Sequence, residues 1–469
     1  MEHLQAELKG NVLTSDHDSG EAYTTALRRN SDLSTLPAKF IVQPTVYEDI
    51  PLVIAYATSH TPPLEIAVKG GGAHSSTWAS SDGGIVIDLS KLNKVTLADD
   101  QKSISVQGGA LWGDVYEVTS KAQVDVVGSP LWFVGVGGFT LGGGYGPLSG
   151  EYGLAADNML SATVVLANGQ IVKTSNTEEP DLFWAIRGGG GQFGIVVEFV
   201  FKTHPYAGPF ASGIIAYPGT EFTNVLNIIR EWKTTQTPAE RLTVTFSRPA
   251  PHSKPSIALL PGALHDTDGA RSKTVFAPFR NGNGSVKPVF EKIVTVPDML
   301  TVSHGADASF AHAPRRLAIR GTFFSDFFPE LLTAVWEKWV AFTESSEDVR
   351  SSGVLWDLTS PEKLVQVSPT EMALRVREPH YWMAVQGRST TDASVPAAKE
   401  FTESTARLVR EKNAELSGRD LGWFVNMCQG DENPEDVFGE NLPRLRKIKA
   451  KYDPKNIWSK GLAIEPLFE

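Results

Sequence analysis

His74 closes a glycine run, Val68-Lys69-Gly70-Gly71-Gly72-Ala73-His74-Ser75, and imidazole is the side chain readiest to act as nucleophile, acid or base near neutral pH. Further runs follow at Val134-Gly135-Val136-Gly137-Gly138 and Leu141-Gly142-Gly143-Gly144-Tyr145-Gly146. Without a Cβ, glycine lets backbone N–H groups turn inward and lets a ligand come close to the chain. Several such runs in one region predict a large phosphate-bearing cofactor held by amides from several loops. The expectation is a bound dinucleotide. Flavin is favoured over nicotinamide, because no clean Gly-x-Gly-x-x-Gly turn sits in a βαβ unit with its later acidic residue.

Other chemistries lack their residues. No Gly-x-x-x-x-Gly-Lys-Ser/Thr loop is present, and Gly146-Pro147-Leu148-Ser149-Gly150 is not a Gly-x-Ser-x-Gly elbow. His304 and His312 lack metal-ligand spacing and no His-Glu-x-x-His occurs, so no metal site is expected. The single cysteine, Cys428, excludes an internal disulfide and a cysteine-cluster metal site.

The chain has 469 residues, too many for one ordinary core, so two domains or one elaborated α+β unit is expected. Its 41% hydrophobic and 21% charged residues are those of a soluble globular protein. A net charge of −11 argues against nucleic acid and against a polybasic membrane patch as partners. The first residues, Met1-Glu2-His3-Leu4-Gln5-Ala6-Glu7-Leu8, do not read as a signal peptide, and no run reaches the roughly 20 apolar residues of a membrane span. A cytoplasmic enzyme is the expectation; oligomeric state is left open.

The elements that must position these residues are legible in part. Ile85–Leu89 and Ser161–Leu166 are compact apolar runs, expected as buried strands. The Asn168-Gly169 pair predicts a hairpin into Ile171-Val172-Lys173. A strand is expected at 103–107, a helix at 110–118, another at 180–187 and a strand at 194–202. From about residue 210, longer helical patterns (222–235, 329–343, 397–414) alternate with strands expected at 242–246, 256–260, 357–364 and 373–377. That order predicts an antiparallel sheet covered by helices on one side. Residues 281–285 read as a loop, and 441–452 as a helix stopped at Asp453-Pro454.

In order along the chain, Lys69–Ser75, Gly83–Leu89, Val106-Gln107-Gly108-Gly109-Ala110, Gly135–Gly146, Leu148–Leu154 with Asp157-Asn158, Asp181–Val196, Phe424-Val425-Asn426 and Lys449–Pro454 form one pattern. It resembles the FAD-linked oxidases of the vanillyl-alcohol-oxidase superfamily, in the berberine-bridge-enzyme-like branch of fungi and plants. The resemblance implies a two-part FAD-binding domain of the PCMH type, residues 1–205 and 425–469. An α+β substrate domain, 206–424, is inserted between the parts. It implies FAD contacts from Lys69, Gly70, Gly71, Gly72, Ala73, His74, Ser75, Val134, Gly135, Gly137, Gly138, Gly142, Gly143, Gly144, Tyr145, Gly194, Ile195, Val196 and Asn426.

By the same resemblance His74 is bonded to the flavin's 8α carbon, which would make the ring a better hydride acceptor. A loop histidine hydrogen-bonded to phosphate or backbone is the other reading that the residues leave open. The usual loop has its histidine directly after the glycines; Ala73 intervenes here. Where many relatives carry a second, cysteinyl tether, this chain has Leu131, followed by Trp132-Phe133, so no cysteinyl link is expected. Two aromatics there suggest a closed, apolar pocket, or ordinary core packing. Val134 resembles the small residue that leaves O2 room above the flavin.

Hydride removal needs a base for the companion proton. The family's C-terminal tyrosines are absent, because Phe424-Val425-Asn426-Met427 stands there. Tyr152, Asp357 and Tyr381 are the catalytic candidates, with Arg377, His380 and Gln386 as further polar groups of the substrate domain. The expected activity is an FAD-dependent oxidase that takes hydride from a small, largely apolar substrate of secondary metabolism and reduces O2 to hydrogen peroxide. Two alternatives stay open: a non-redox cyclase or isomerase on the same fold, and a flavin-binding protein without chemistry.

Overall fold

The computed structural model describes residues 2–15, 20–280 and 286–468. The loop expected at 281–285 lies outside the described residues. The fold is α+β, as expected, with three main sheets.

Two of the sheets carry the glycine runs. In the first, Asn11–Leu13, Phe40–Gln43, Ile85–Asp88 and Ile66–Lys69 lie in that order, and the last three are parallel. Their apolar runs are buried on both faces, as parallel strands require. The strand Ile66–Lys69 therefore delivers the first glycine run from a fixed edge. In the second sheet Val95–Leu97, Ser103–Gln107, Ile195–Lys202, Met159–Val165 and Ile171–Ser175 are antiparallel neighbours. The hairpin at Asn168-Gly169 joins the last two of these, with Gly169 at φ +82°.

The third sheet has seven antiparallel strands in the order Phe290–Val296, Phe210–Pro218, Ser256–Ala263, Glu240–Ser247, Gly353–Asp357, Tyr381–Ser389, Arg316–Phe324. Three helices, Phe222–Lys233, Pro329–Ser345 and Val395–Ser417, supply apolar stripes to it, such as Leu331, Leu332, Val335 and Trp339. Phe246 packs against Trp339 and Trp356 at ring distances of 5.5 and 4.9 Å, all three fully buried. Each such side chain contributes about 2–3 kcal/mol of burial. Strand alternation sends the other set of residues to the opposite face, which looks toward the glycine loops.

Two expected strands are absent. Strand pairing stops at Asp357, and Leu364–Gln366 is a single 3-10 turn, in a stretch that Pro361 interrupts. Residues 373–377 leave the sheet altogether: the N–H groups of Ala373 and Leu374 donate to the carbonyls of Trp184 and Arg187. Arg377 is buried against Asp157 at 2.7 Å. Strands Tyr381–Ser389 and Arg316–Phe324 fill the sheet instead. Among the described residues no helix is long and apolar enough to cross a membrane, and no three His, Cys, Asp or Glu side chains form a metal-sized cluster.

Candidate functional site

A cavity of about 1020 Å³ runs between the glycine loops and the open face of the seven-stranded sheet. Residues 70–75, 134, 135, 137, 138, 142, 145, 194–196 and 426 of the expected cofactor set border it. Lys69, Gly143 and Gly144 do not. The Lys69 ammonium turns back to the Ala26 carbonyl and Asp88, while the Gly144 N–H faces the Asn426 amide oxygen at 3.4 Å. Leu89, Gly108, Gly190 and Gly191 complete that half of the wall.

Two loops touch backbone to backbone. A Cβ on Gly71 would lie 2.4 Å from the Gly135 nitrogen, and a Cβ on Gly135 would lie 2.3 Å from the Gly71 nitrogen. Only glycine fits either position. Asn426 arrives from the C-terminal segment, and its side-chain amide donates to the carbonyls of Gly138 (3.1 Å) and Phe139 (2.9 Å). Ser75 Oγ accepts from the Ile319 N–H (3.1 Å) and from Gln429 (3.2 Å), tying the first loop to the sheet and to the same segment.

His74 is held at one nitrogen, while the other is buried without a hydrogen bond of good geometry and the Asn426 backbone lies against the ring. Its Nδ1 accepts from the Ser76 N–H at 3.0 Å and lies 2.7 Å from Ser76 Oγ, and the ring stacks on Trp78 at 4.9 Å. Nε2 is buried with no hydrogen-bond partner. Burial lowers the imidazole pKa to about 4, so the ring is neutral at pH 7. The residues fit a flavin dinucleotide: a backbone cradle without Cβ atoms, a cavity of about 1020 Å³, and a neutral imidazole on its wall. Cys428 is fully buried, holds its thiol toward the Phe424 carbonyl and does not border the cavity.

The aromatic pair divides. Phe133 borders the cavity, whereas Trp132 turns outward, donating to Asp307 at 2.8 Å and stacking on His304 at 5.2 Å.

None of the three expected catalytic side chains borders the cavity. Tyr152 stacks on His204 at 3.9 Å, beside a separate shallow depression. Tyr381 lies on the helix side of its strand, with the Lys233 ammonium 4.4 Å from its ring centre. The reason is parity: Trp382, Ala384, Gln386 and Arg388 face the cavity, so Tyr381, Met383 and Val385 face the helices. Asp357 stands on the cavity face of the sheet, paired with Trp382 and Thr243, but is covered there, accepting from Arg241, from Thr243 (3.2 Å) and from Thr359 (2.8 Å). Of the further polar groups only Gln386 borders the cavity. His380 is buried behind Tyr145, whose hydroxyl lies 2.6 Å from its Nε2.

Sequence reasoning missed Arg241. It borders the cavity from strand Glu240–Ser247, and its signal was an arginine set into the alternating Arg241-Leu242-Thr243-Val244-Thr245-Phe246. The cavity wall carries Arg241, Lys292, Arg388 and Lys460 as cations, and no Asp or Glu among the described residues.

Comparison with known proteins agrees with this geometry. A model described as "FAD binding domain" matches residues 38–175, and one described as "Berberine and berberine like" matches residues 423–465. The chain is 30% identical over 487 residues to the FAD-linked oxidoreductase pgmH of Aspergillus terreus, covering 99% of this chain and 96% of the relative. Among solved structures, Physcomitrella patens BBE-like 1 superposes with a TM-score of 0.84 at 19% identity, covering 100% of this chain and 99% of that one. The glucooligosaccharide oxidase of Acremonium strictum, described with a 6-S-cysteinyl, 8α-N1-histidyl FAD, has a TM-score of 0.81 at 22% identity, with 99% of each chain covered.

Proposed function

The chain belongs to the berberine-bridge-enzyme-like FAD-linked oxidoreductases, and on that premise we propose that it takes hydride from a small, largely apolar molecule of secondary metabolism and passes the electrons to O2. The observation that carries this reading is the continuous cavity, which joins the glycine cradle to an apolar sheet wall bearing Ile214, Leu260, Leu355 and Ala384. Bound there, the flavin would supply the hydride acceptor, with hydrogen peroxide as the product of its return to the oxidised form. The chain's own part is to hold, orient and dry: the loops fix the cofactor's edge, the sheet presents the substrate to it, and Val134 leaves a small side chain on the flavin side.

We further propose that the flavin is bonded to His74 and to no cysteine. The buried His74 Nε2, which makes no hydrogen bond, and Cys428, whose thiol turns to the Phe424 carbonyl outside the cavity lining, support this. Acid precipitation of the purified protein tests it: yellow colour stays with the pellet in the parent and moves to the supernatant in His74→Ala. Colour in the parent's supernatant refutes the bond. Anaerobic mixing with substrate tests the redox reading, since the flavin absorbance must bleach.

One observation favours a second reading, that of a non-redox cyclase or isomerase. Among the described residues the wall offers no carboxylate and one tyrosine, Tyr145, whose hydroxyl is committed to His380. Turnover without O2 uptake would select that reading.

A further inference from the structure

We propose that Arg241 selects the substrate, receiving one anionic oxygen, a carboxylate or a phenolate, of an otherwise apolar molecule that lies along the sheet wall. This rests on the reading of the cavity as the substrate site of an FAD-linked enzyme.

The sheet half of the cavity is largely apolar, interrupted by Thr243, Gln386 and the cations Arg241, Lys292 and Arg388, of which Arg388 gives its Nη1 to the Pro314 carbonyl at 2.7 Å. Lys292 stands on the edge strand Phe290–Val296 and is exposed. Arg241 is inside: its side chain is 14% exposed, and its strand neighbours are buried. An interior guanidinium must have its donors satisfied, because an unpaired buried polar group is costly. Nη2 is satisfied by Asp357 and by Thr243 Oγ1 at 2.9 Å. Nε is buried with no partner, and Nη1 makes no hydrogen bond among the described residues.

Asp357 and Thr243 thus fix the plane of the guanidinium through Nη2, and Nη1 is the donor left for a ligand in the cavity. A cationic N–H held in a fixed plane makes a charge-assisted hydrogen bond to one anionic oxygen. No carboxylate borders the cavity among the described residues; Asp357 offsets the Arg241 charge, and Lys292, Arg388 and Lys460 leave the wall net positive toward such a ligand. The same arrangement gives Asp357 a positioning role in place of a catalytic one.

The test titrates the holoprotein with 2-naphthoate and with its uncharged counterpart 2-naphthamide, following the perturbation of the flavin absorbance band. Binding is read without turnover. The expected result is naphthoate binding at least about tenfold tighter than naphthamide. Arg241→Met should bring the two within about twofold of each other, with naphthamide affinity unchanged. Because Arg241→Met leaves Asp357 buried and unpaired, Arg241→Met/Asp357→Asn is measured alongside and should give the same loss of discrimination. Lys292→Met, at the open edge, should keep the preference for naphthoate. Equal binding of the two probes by the parent overturns the proposal, as does a parent that binds no naphthoate. Discrimination that survives Arg241→Met, or that is lost in Lys292→Met alone, overturns it as well. A protein that takes up no flavin fails the functional reading itself, whereas a flavoprotein indifferent to the charge fails only this inference.

Discussion

Lys449→Met should destabilise the protein more than any exposed substitution. The Lys449 ammonium and the Asp453 carboxylate are both 0% exposed and meet at 2.8 Å. The ammonium also donates to the carbonyls of Gln192 (2.7 Å) and Trp458 (2.9 Å), and Asp453 accepts from the Ile457 and Trp458 N–H groups at 2.9 Å. Methionine keeps the length of the stem and removes the charge. Asp453 is then a buried carboxylate without a counter-ion, and breaking such a pair from one side costs about 3–5 kcal/mol. At roughly 2 °C per kcal/mol for a chain of this size, Tm should fall by about 8 °C. Lys449→Met/Asp453→Asn removes the stranded charge and should recover roughly half of that loss. The assay is thermal unfolding of the holoprotein by tryptophan fluorescence, with flavin release followed in the same cell. Gln192 lies between two cavity-lining stretches, so release should track unfolding. A fall below about 2 °C, or a double variant no more stable than the single one, refutes the reasoning.

His380 sets an acid limit. Its Nε2 faces the Tyr145 hydroxyl and its Nδ1 the Glu378 carbonyl, and burial lowers its pKa from 6.5 to about 4. The folded pKa is depressed, so this histidine weighs nothing against the fold above about pH 6.5. Below that the unfolded chain takes up the proton first, and stability should fall by about 1.4 kcal/mol per pH unit down to about pH 4. Urea midpoints across that window, falling less steeply in His380→Asn while His74 and His204 keep their share of the slope, check it. Gly135→Ala places a Cβ against Gly71 and should abolish flavin retention on gel filtration while the chain still folds. Trp132→Phe keeps the stack on His304 and loses the hydrogen bond to Asp307, worth about 1 kcal/mol. Limited proteolysis of residues 299–311 should then run about fivefold faster.

The cofactor half of the site was legible because glycine leaves a chemical mark: runs so poor in side chains mark where the backbone meets something, even though Val136–Leu141 closes into a short helix. The early strands and the hairpin at Asn168-Gly169 were legible by run length and turn chemistry. The wall of the sheet was not. Which of Tyr381 and Trp382 meets the cavity depends on strand parity, set by pairing with Asp357 and Phe324, and a slip of one residue exchanges the faces. Residues 373–377 have the composition of a strand but bond to carbonyls in the 184–187 segment, a choice made by tertiary contacts. Arg241 was passed over because an arginine in a strand reads as exposed until its burial is known.

The C-terminal segment also imposes an order in time. Asn426 meets Gly138 across 288 positions of sequence, and Gln192 reaches the Leu462 carbonyl, so loops made early are held by residues made last. At about 5–20 residues per second, a ribosome needs roughly 15–60 s to go from Gly138 to Asn426. Through that interval the glycine loops have no partner from the tail, and the nascent chain carries an unfinished cradle. Loading of the cofactor therefore belongs to the completed polypeptide, and a chain truncated before Asn426 should emerge colourless.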